Sequence, residues 1–103
     1  MKTLGLLQGL EGDRIAWWCP GCDMGHEVPV RGPGAWGYNG DPQNPTFTPS
    51  VKVTWEHGEA REPRCCHSII TSGEIHFQGD CTHKLSGQKV PMIDWPAVHE
   101  GAV

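Results

Sequence analysis

The chain has 103 residues, with 8 Lys+Arg against 12 Asp+Glu for a formal charge of −4 at pH 7. That balance, with no basic run, argues against a nucleic-acid partner, because phosphate contacts need a positive field. Hydrophobic residues are 37% of the chain, and its 14 Gly and 9 Pro suit short strands and turns around a thin core anchored by 5 Trp rather than a helical protein.

Residues 1 to 14 read as an entry strand and a turn, with Glu11-Gly12-Asp13 as the break. The apolar run at Leu4 to Leu7 is interrupted by Gly5 and too short for the central region of a signal peptide, and no stretch approaches a membrane span. The expected setting is a reducing cytoplasm, where cysteine clusters bind metal more often than they cross-link.

Trp17-Trp18-Cys19-Pro20-Gly21-Cys22 follows, with two cysteines on a tight Pro-Gly turn. Thiolates at this spacing cover two corners of a zinc tetrahedron. A thioredoxin-type redox pair would need a helix downstream, but Gly25, Pro29, Gly32, Pro33 and Gly34 stand there instead. A disulfide framework would leave at least one of 5 cysteines unpaired.

His26 to Arg31 predicts a short strand that Pro29 places at an edge, and His26 is near enough to Cys22 to serve as a further ligand. Gly32 to Ser50 is an ordered, proline-rich loop pinned by Trp36, Tyr38 and Phe47, with Asn39-Gly40 suited to a positive-φ turn. Ser50 to Glu56 is a strand with Val51, Val53 and Trp55 on one face and Lys52, Thr54 and Glu56 on the other.

Arg64 to Gln78 reads as a hairpin turning at Ser72-Gly73, pairing Ile70 with Ile75 and Ser68 with Phe77. Alternation then puts Cys66 on the apolar face, with Cys65, His67 and His76 on the opposite one. Asp80 to Gly87 has the marks of a short helical turn capped by Asp80. Residues 88 to 96 suit a last edge strand, and 97 to 103 a frayed tail.

The expected fold is therefore mainly β, a small single domain over 1 to 103 with a core at about 13 to 96. It is a zinc-ribbon-like assembly of hairpins with at most one short helix near 80 to 86. Zinc is the expected cofactor, held by Cys19, Cys22, Cys66 and His83, with Cys81, His67 and His26 as substitutes.

The chain also resembles a known family through Cys19-Pro20-Gly21-Cys22 with His26, Trp36-Gly37-Tyr38-Asn39-Gly40, Pro45-Thr46-Phe47-Thr48-Pro49-Ser50, Cys66-His67-Ser68-Ile69-Ile70 and Gly79 to Gly87. These occur in the same order in a family of small phage, prophage and bacterial proteins of unknown function. The family's motif implies roles for Cys19, Cys22, Cys66, His67, Asp80 and His83, and leaves Cys65 outside. Many members are labelled ammonia monooxygenase, a membrane-embedded copper enzyme, whereas nothing in this sequence spans a bilayer. Some relatives are encoded beside ubiquitin-like conjugation genes, which implies protein partners.

The leading functional expectation is a module with structural zinc that binds a host or phage protein in the cytoplasm, the host cytoplasm if the chain is phage-encoded. The alternative is a zinc-dependent hydrolase in which His67 or Asp80 acts as acid or base. Nucleic-acid binding comes third, against the charge balance.

Overall fold

The computed structural model of the chain describes residues 3 to 4 and 6 to 95; Pro96 and the expected tail at 97 to 103 lie outside the described residues. The first sheet holds β1 (Thr3–Leu4), β2 (Leu7–Leu10), β3 (Arg14–Cys19) and β4 (Met24–Pro29), antiparallel and in chain order. The second holds β5 (Gly37–Tyr38), β6 (Phe47–His57), β7 (Glu62–Thr71), β8 (Glu74–Phe77) and β9 (Lys89–Pro91), again antiparallel and in chain order. The mainly β expectation holds, and no helix occurs among the described residues. No helix there is long and apolar enough to cross a membrane.

The core lies where the two sheets share apolar side chains. Leu7, Trp17, Cys19 and Val28 come from the first sheet, and Phe47, Val51, Cys66, Ile70, Ile75 and Phe77 from the second. Trp17 stacks on Phe47 with centroids 5.2 Å apart, and Phe47 stacks on Tyr38 at 5.1 Å. Few aliphatic residues are needed because these large rings bury so much area each. The other face of the first sheet is closed by Trp18, Ala16 and Trp95.

Local chemistry explains the turns. The β7–β8 hairpin has a two-residue loop, Ser72 and Gly73, both at positive φ (48° and 81°), the backbone twist that a tight hairpin requires. Ile70 pairs with Ile75 and Ser68 with Phe77, the predicted register. As that register demands, Cys66 is fully buried while Cys65 is only half-buried.

Two features depart from the sequence reading. Residues 80 to 86 form successive turns rather than a helical turn, because they lie alongside β7. Thr82 N–H donates to the Cys65 carbonyl, Cys65 N–H donates to Thr82 Oγ1, and Gln78 N–H donates to the His67 carbonyl. Asp80, expected as a helix cap, instead meets a side chain of β7.

The second departure is in β6, which begins at Phe47 and carries an irregularity. Phe47 pairs with Ile70 and Val51 with Ser68, so Thr48, Pro49 and Ser50 stand opposite Ile69 alone. Such a bulge re-aims the residues it carries. Trp36 holds it in place, its indole N–H donating to the carbonyls of Pro49 (3.1 Å) and Ser50 (3.4 Å).

Candidate active site and metal centre

Cysteine and histidine side chains gather between the sheets. The β3–β4 turn presents Cys19 and Cys22, β4 presents His26, and β7 presents Cys66, with one ligand atom from each lying within 4.8 Å of all the others. Cys19 Sγ and Cys66 Sγ are 3.8 Å apart, and Cys22 N–H points at Cys19 Sγ at 3.4 Å. Two thiolates bound tetrahedrally at about 2.3 Å from a zinc ion would be separated by nearly the same distance, ~3.8 Å. His26 is buried, and its Nε2 has no hydrogen-bond partner among the described residues.

The three thiols of this cluster perturb one another. Hydrogen bonds from Cys22 and then Cys66 hold the Cys19 thiol far below its ordinary value, against burial. In turn, Cys22 is pushed up to about 12 and Cys66 further still, each chiefly by its hydrogen bond to Cys19. A divalent cation among these sulfurs would favour the ionised form of each. The cluster can bind a metal ion through Cys19, Cys22, Cys66 and His26.

His83, expected as the fourth ligand, falls in a second group with Cys66 and Cys81. Its ring lies over Gly21 in the Cys19–Cys22 turn, where a Cβ would strike it, and packs edge-on to Phe77 with centroids 4.5 Å apart. The N–H of Leu85 donates to His83 Nδ1 at 3.2 Å, which places the ring proton of a neutral imidazole on Nε2. That nitrogen is buried without a partner. With Cys66 and Cys81, His83 could itself hold a metal ion.

The outer face of the second sheet carries a different constellation. His67, one residue from Cys66, points the opposite way as alternation requires. Its Nδ1 meets Asp80 Oδ1 at 3.1 Å and Oδ2 at 3.2 Å, and its Nε2 meets Ser50 Oγ at 3.1 Å. The backbone of His67 is held as well: its N–H donates to Cys81 Sγ (3.3 Å), and the Cys81 thiol donates to its carbonyl (3.2 Å). Burial pulls the Asp80 carboxyl upward, but the hydrogen bond from His67, with the charge of Lys52 3.6 Å away, outweighs it and leaves the group below its ordinary value. An ionised Asp80 fixes the proton on His67 Nδ1 and leaves Nε2 free to accept from the Ser50 hydroxyl.

A hydroxyl, an imidazole and a carboxylate in this relay form the geometry of nucleophilic acyl transfer. A family model described as "Bacterial ubiquitination-like system serine protease (BubE)" matches residues 2–78. The chain belongs to the BubE family. The match includes Ser50 and His67 and ends two residues before Asp80. The BubE description names a bacterial system and supports neither the ammonia monooxygenase label nor the phage assignment. No curated protein and no solved structure matches the chain.

The sequence reading had singled out His67 and Asp80 as candidate acid and base, but for a metal-bound water. The structure brings them together on the face away from the sulfur cluster. Ser50 was not singled out from the sequence. It closes the motif Pro45 to Ser50, and the signal available was a serine at the start of a clean strand in the same chain as His67 and Asp80. Sequence alone could not supply the pairing of β6 with β7, which puts Ser50 beside His67. Of the substitute ligands, His26 joins the first cluster and Cys81 the second, while His67 joins neither.

Proposed function

We propose that this BubE-family chain is a serine protease in which Ser50 is the nucleophile, His67 the general base and acid, and Asp80 the group that orients His67. The observation that carries the reading is the Ser50–His67 contact at 3.1 Å, with Asp80 bonded to the other ring nitrogen. Ser50 Oγ attacks a carbonyl as His67 Nε2 takes its proton. His67 then returns that proton to the leaving amine or alcohol. Water, deprotonated by the same nitrogen, hydrolyses the acyl-enzyme.

The family description supports a carbonyl at the end of a ubiquitin-like protein as the substrate, in a precursor, a conjugate or an ester. That protein would replace the host or phage partner expected from sequence, and the expected interaction module gives way to an enzyme.

Zinc is the metal proposed for the Cys19, Cys22, Cys66 and His26 cluster, since three thiolates and an imidazole form one of its usual structural sets. Its role there is structural: four protein ligands leave no position for water, and His67 faces away from the ion. A reducing cytoplasm, as expected from the cysteine content, keeps such thiols available.

A fluorophosphonate probe should label the folded protein at Ser50, located by peptide mass mapping. Label on another residue, or none at all, would sink the assignment.

The same reading makes Trp36 a positioning residue. Trp36→Phe keeps most of the packed area but deletes the N–H that holds the Pro49 and Ser50 carbonyls. The expected result is a fall in kcat of about tenfold or more with KM nearly unchanged, because a misplaced nucleophile affects the chemical step before it affects binding. An equal loss in KM alone would assign Trp36 to substrate contact instead.

A further inference from the structure

The neighbours of β7 fix where each backbone group of β6 points. The N–H and C=O of Cys65 are taken by Thr82, and those of His67 by Cys81 and Gln78. Cys65 and His67 therefore turn their main chain away from β6. In an antiparallel ladder the bonded pairs alternate, so β6 and β7 exchange hydrogen bonds at Val51 with Ser68, Val53 with Cys66 and Trp55 with Arg64. The N–H and C=O groups of Lys52, Thr54 and Glu56 then point to the opposite edge of β6.

That edge is open beyond the bulge. β5 covers β6 only at Phe47 and Thr48, and the Trp36 indole occupies the carbonyls of Pro49 and Ser50. From Lys52 onward, no strand and no main-chain hydrogen bond occupies it among the described residues. Lys52, Thr54 and Glu56 are all exposed.

We propose that the free edge of β6 is the substrate-binding edge of the protease. An extended peptide segment of the acyl donor adds to the sheet beside Lys52 to Glu56, and its continuation past Lys52 delivers the carbonyl to Ser50 Oγ. Continuity selects this occupant: the unpaired stretch begins two residues from the nucleophile, and the Trp36 indole closes the edge there. Strand addition takes affinity from main-chain hydrogen bonds, so recognition depends on backbone amides at alternate positions of the substrate. The inference rests on the serine protease reading and deepens it.

The test uses the wild-type protein and a short peptidyl aminocoumarin substrate, remade with an ester oxygen in place of one backbone N–H at a time. Loss of a pairing N–H should lower kcat/KM roughly three- to tenfold, with the intervening positions silent, a period of two. Thr54→Pro removes a donor that no described residue uses, which an edge strand tolerates, and should raise KM for the peptidyl substrate by a similar factor. A profile without alternation overturns the proposal, as does a dimer that Thr54→Pro dissolves, since the edge would then pair with a second copy. The turnover of 4-nitrophenyl acetate that Ser50→Ala removes reports on Ser50 without the edge. If it proceeds while the ester series is flat, only the edge assignment falls; if it fails along with fluorophosphonate labelling, the serine reading falls first.

Discussion

Ser50→Ala should lower hydrolysis by on the order of 10⁴-fold or more while leaving the fold and metal content of the wild type. The side chain is small, half-buried on the outer face, and bonded only through its hydroxyl to His67, so its loss opens no cavity in the core. His67→Ala should be comparably inactive, and the double variant no worse than either single one, because the two groups act as one unit. Asp80→Asn should also be severe: an amide cannot hold the proton on Nδ1, and the imidazole would adopt the wrong tautomer. Circular dichroism and metal analysis on each variant separate lost chemistry from lost structure. A folded Ser50→Ala protein with wild-type turnover would remove serine catalysis from consideration.

Metal removal should produce the largest change in stability, and it should abolish activity although the ion takes no part in the bond cleavage. Structural zinc sites of this kind contribute apparent binding free energies of about 10–16 kcal/mol, comparable with the whole stability of a small domain. A strong chelator is therefore expected to unfold the chain, and zinc returned during refolding should restore fold and hydrolysis together. Cys66→Ser should follow the chelated protein, since Cys66 is fully buried and lies against Cys19. Cys65→Ser should retain metal and fold, its side chain being on the other face of β7. If chelation leaves turnover and fold intact, the cluster is not a structural metal site.

Most of the local architecture was legible in the sequence because it is governed by neighbours in the chain. Alternation along 51 to 56 and the Ser72-Gly73 turn determine which side chains of β6 and of the β7–β8 hairpin share a face, and the opposite aims of Cys65 and Cys66 follow. The turn at Cys19 and Cys22 announces half a metal site by spacing alone. What was not legible depends on long-range pairing. The fourth member of the sulfur cluster is set by β4 folding back on β3, which brings His26 opposite Trp17 beside the turn, whereas His83 approaches over Gly21 and groups with Cys66 and Cys81. The segment from 80 to 86 has capping residues for a helix, but its backbone bonds are taken by β7 and by its own turns. The contact of Ser50 with His67 became visible only once the bulge in β6 had been placed against β7.

The opposite aims of two consecutive residues, Cys66 and His67, restrict how this chain can change in length. A slip of β7 by one residue would take the imidazole off the face it shares with Ser50 and Asp80, breaking that relay in either direction. An insertion or deletion within β7 would therefore break that relay. Length variation has to be absorbed in stretches such as the exposed turn at 58 to 61, where the chain reverses between β6 and β7 and no ligand or catalytic side chain depends on the count.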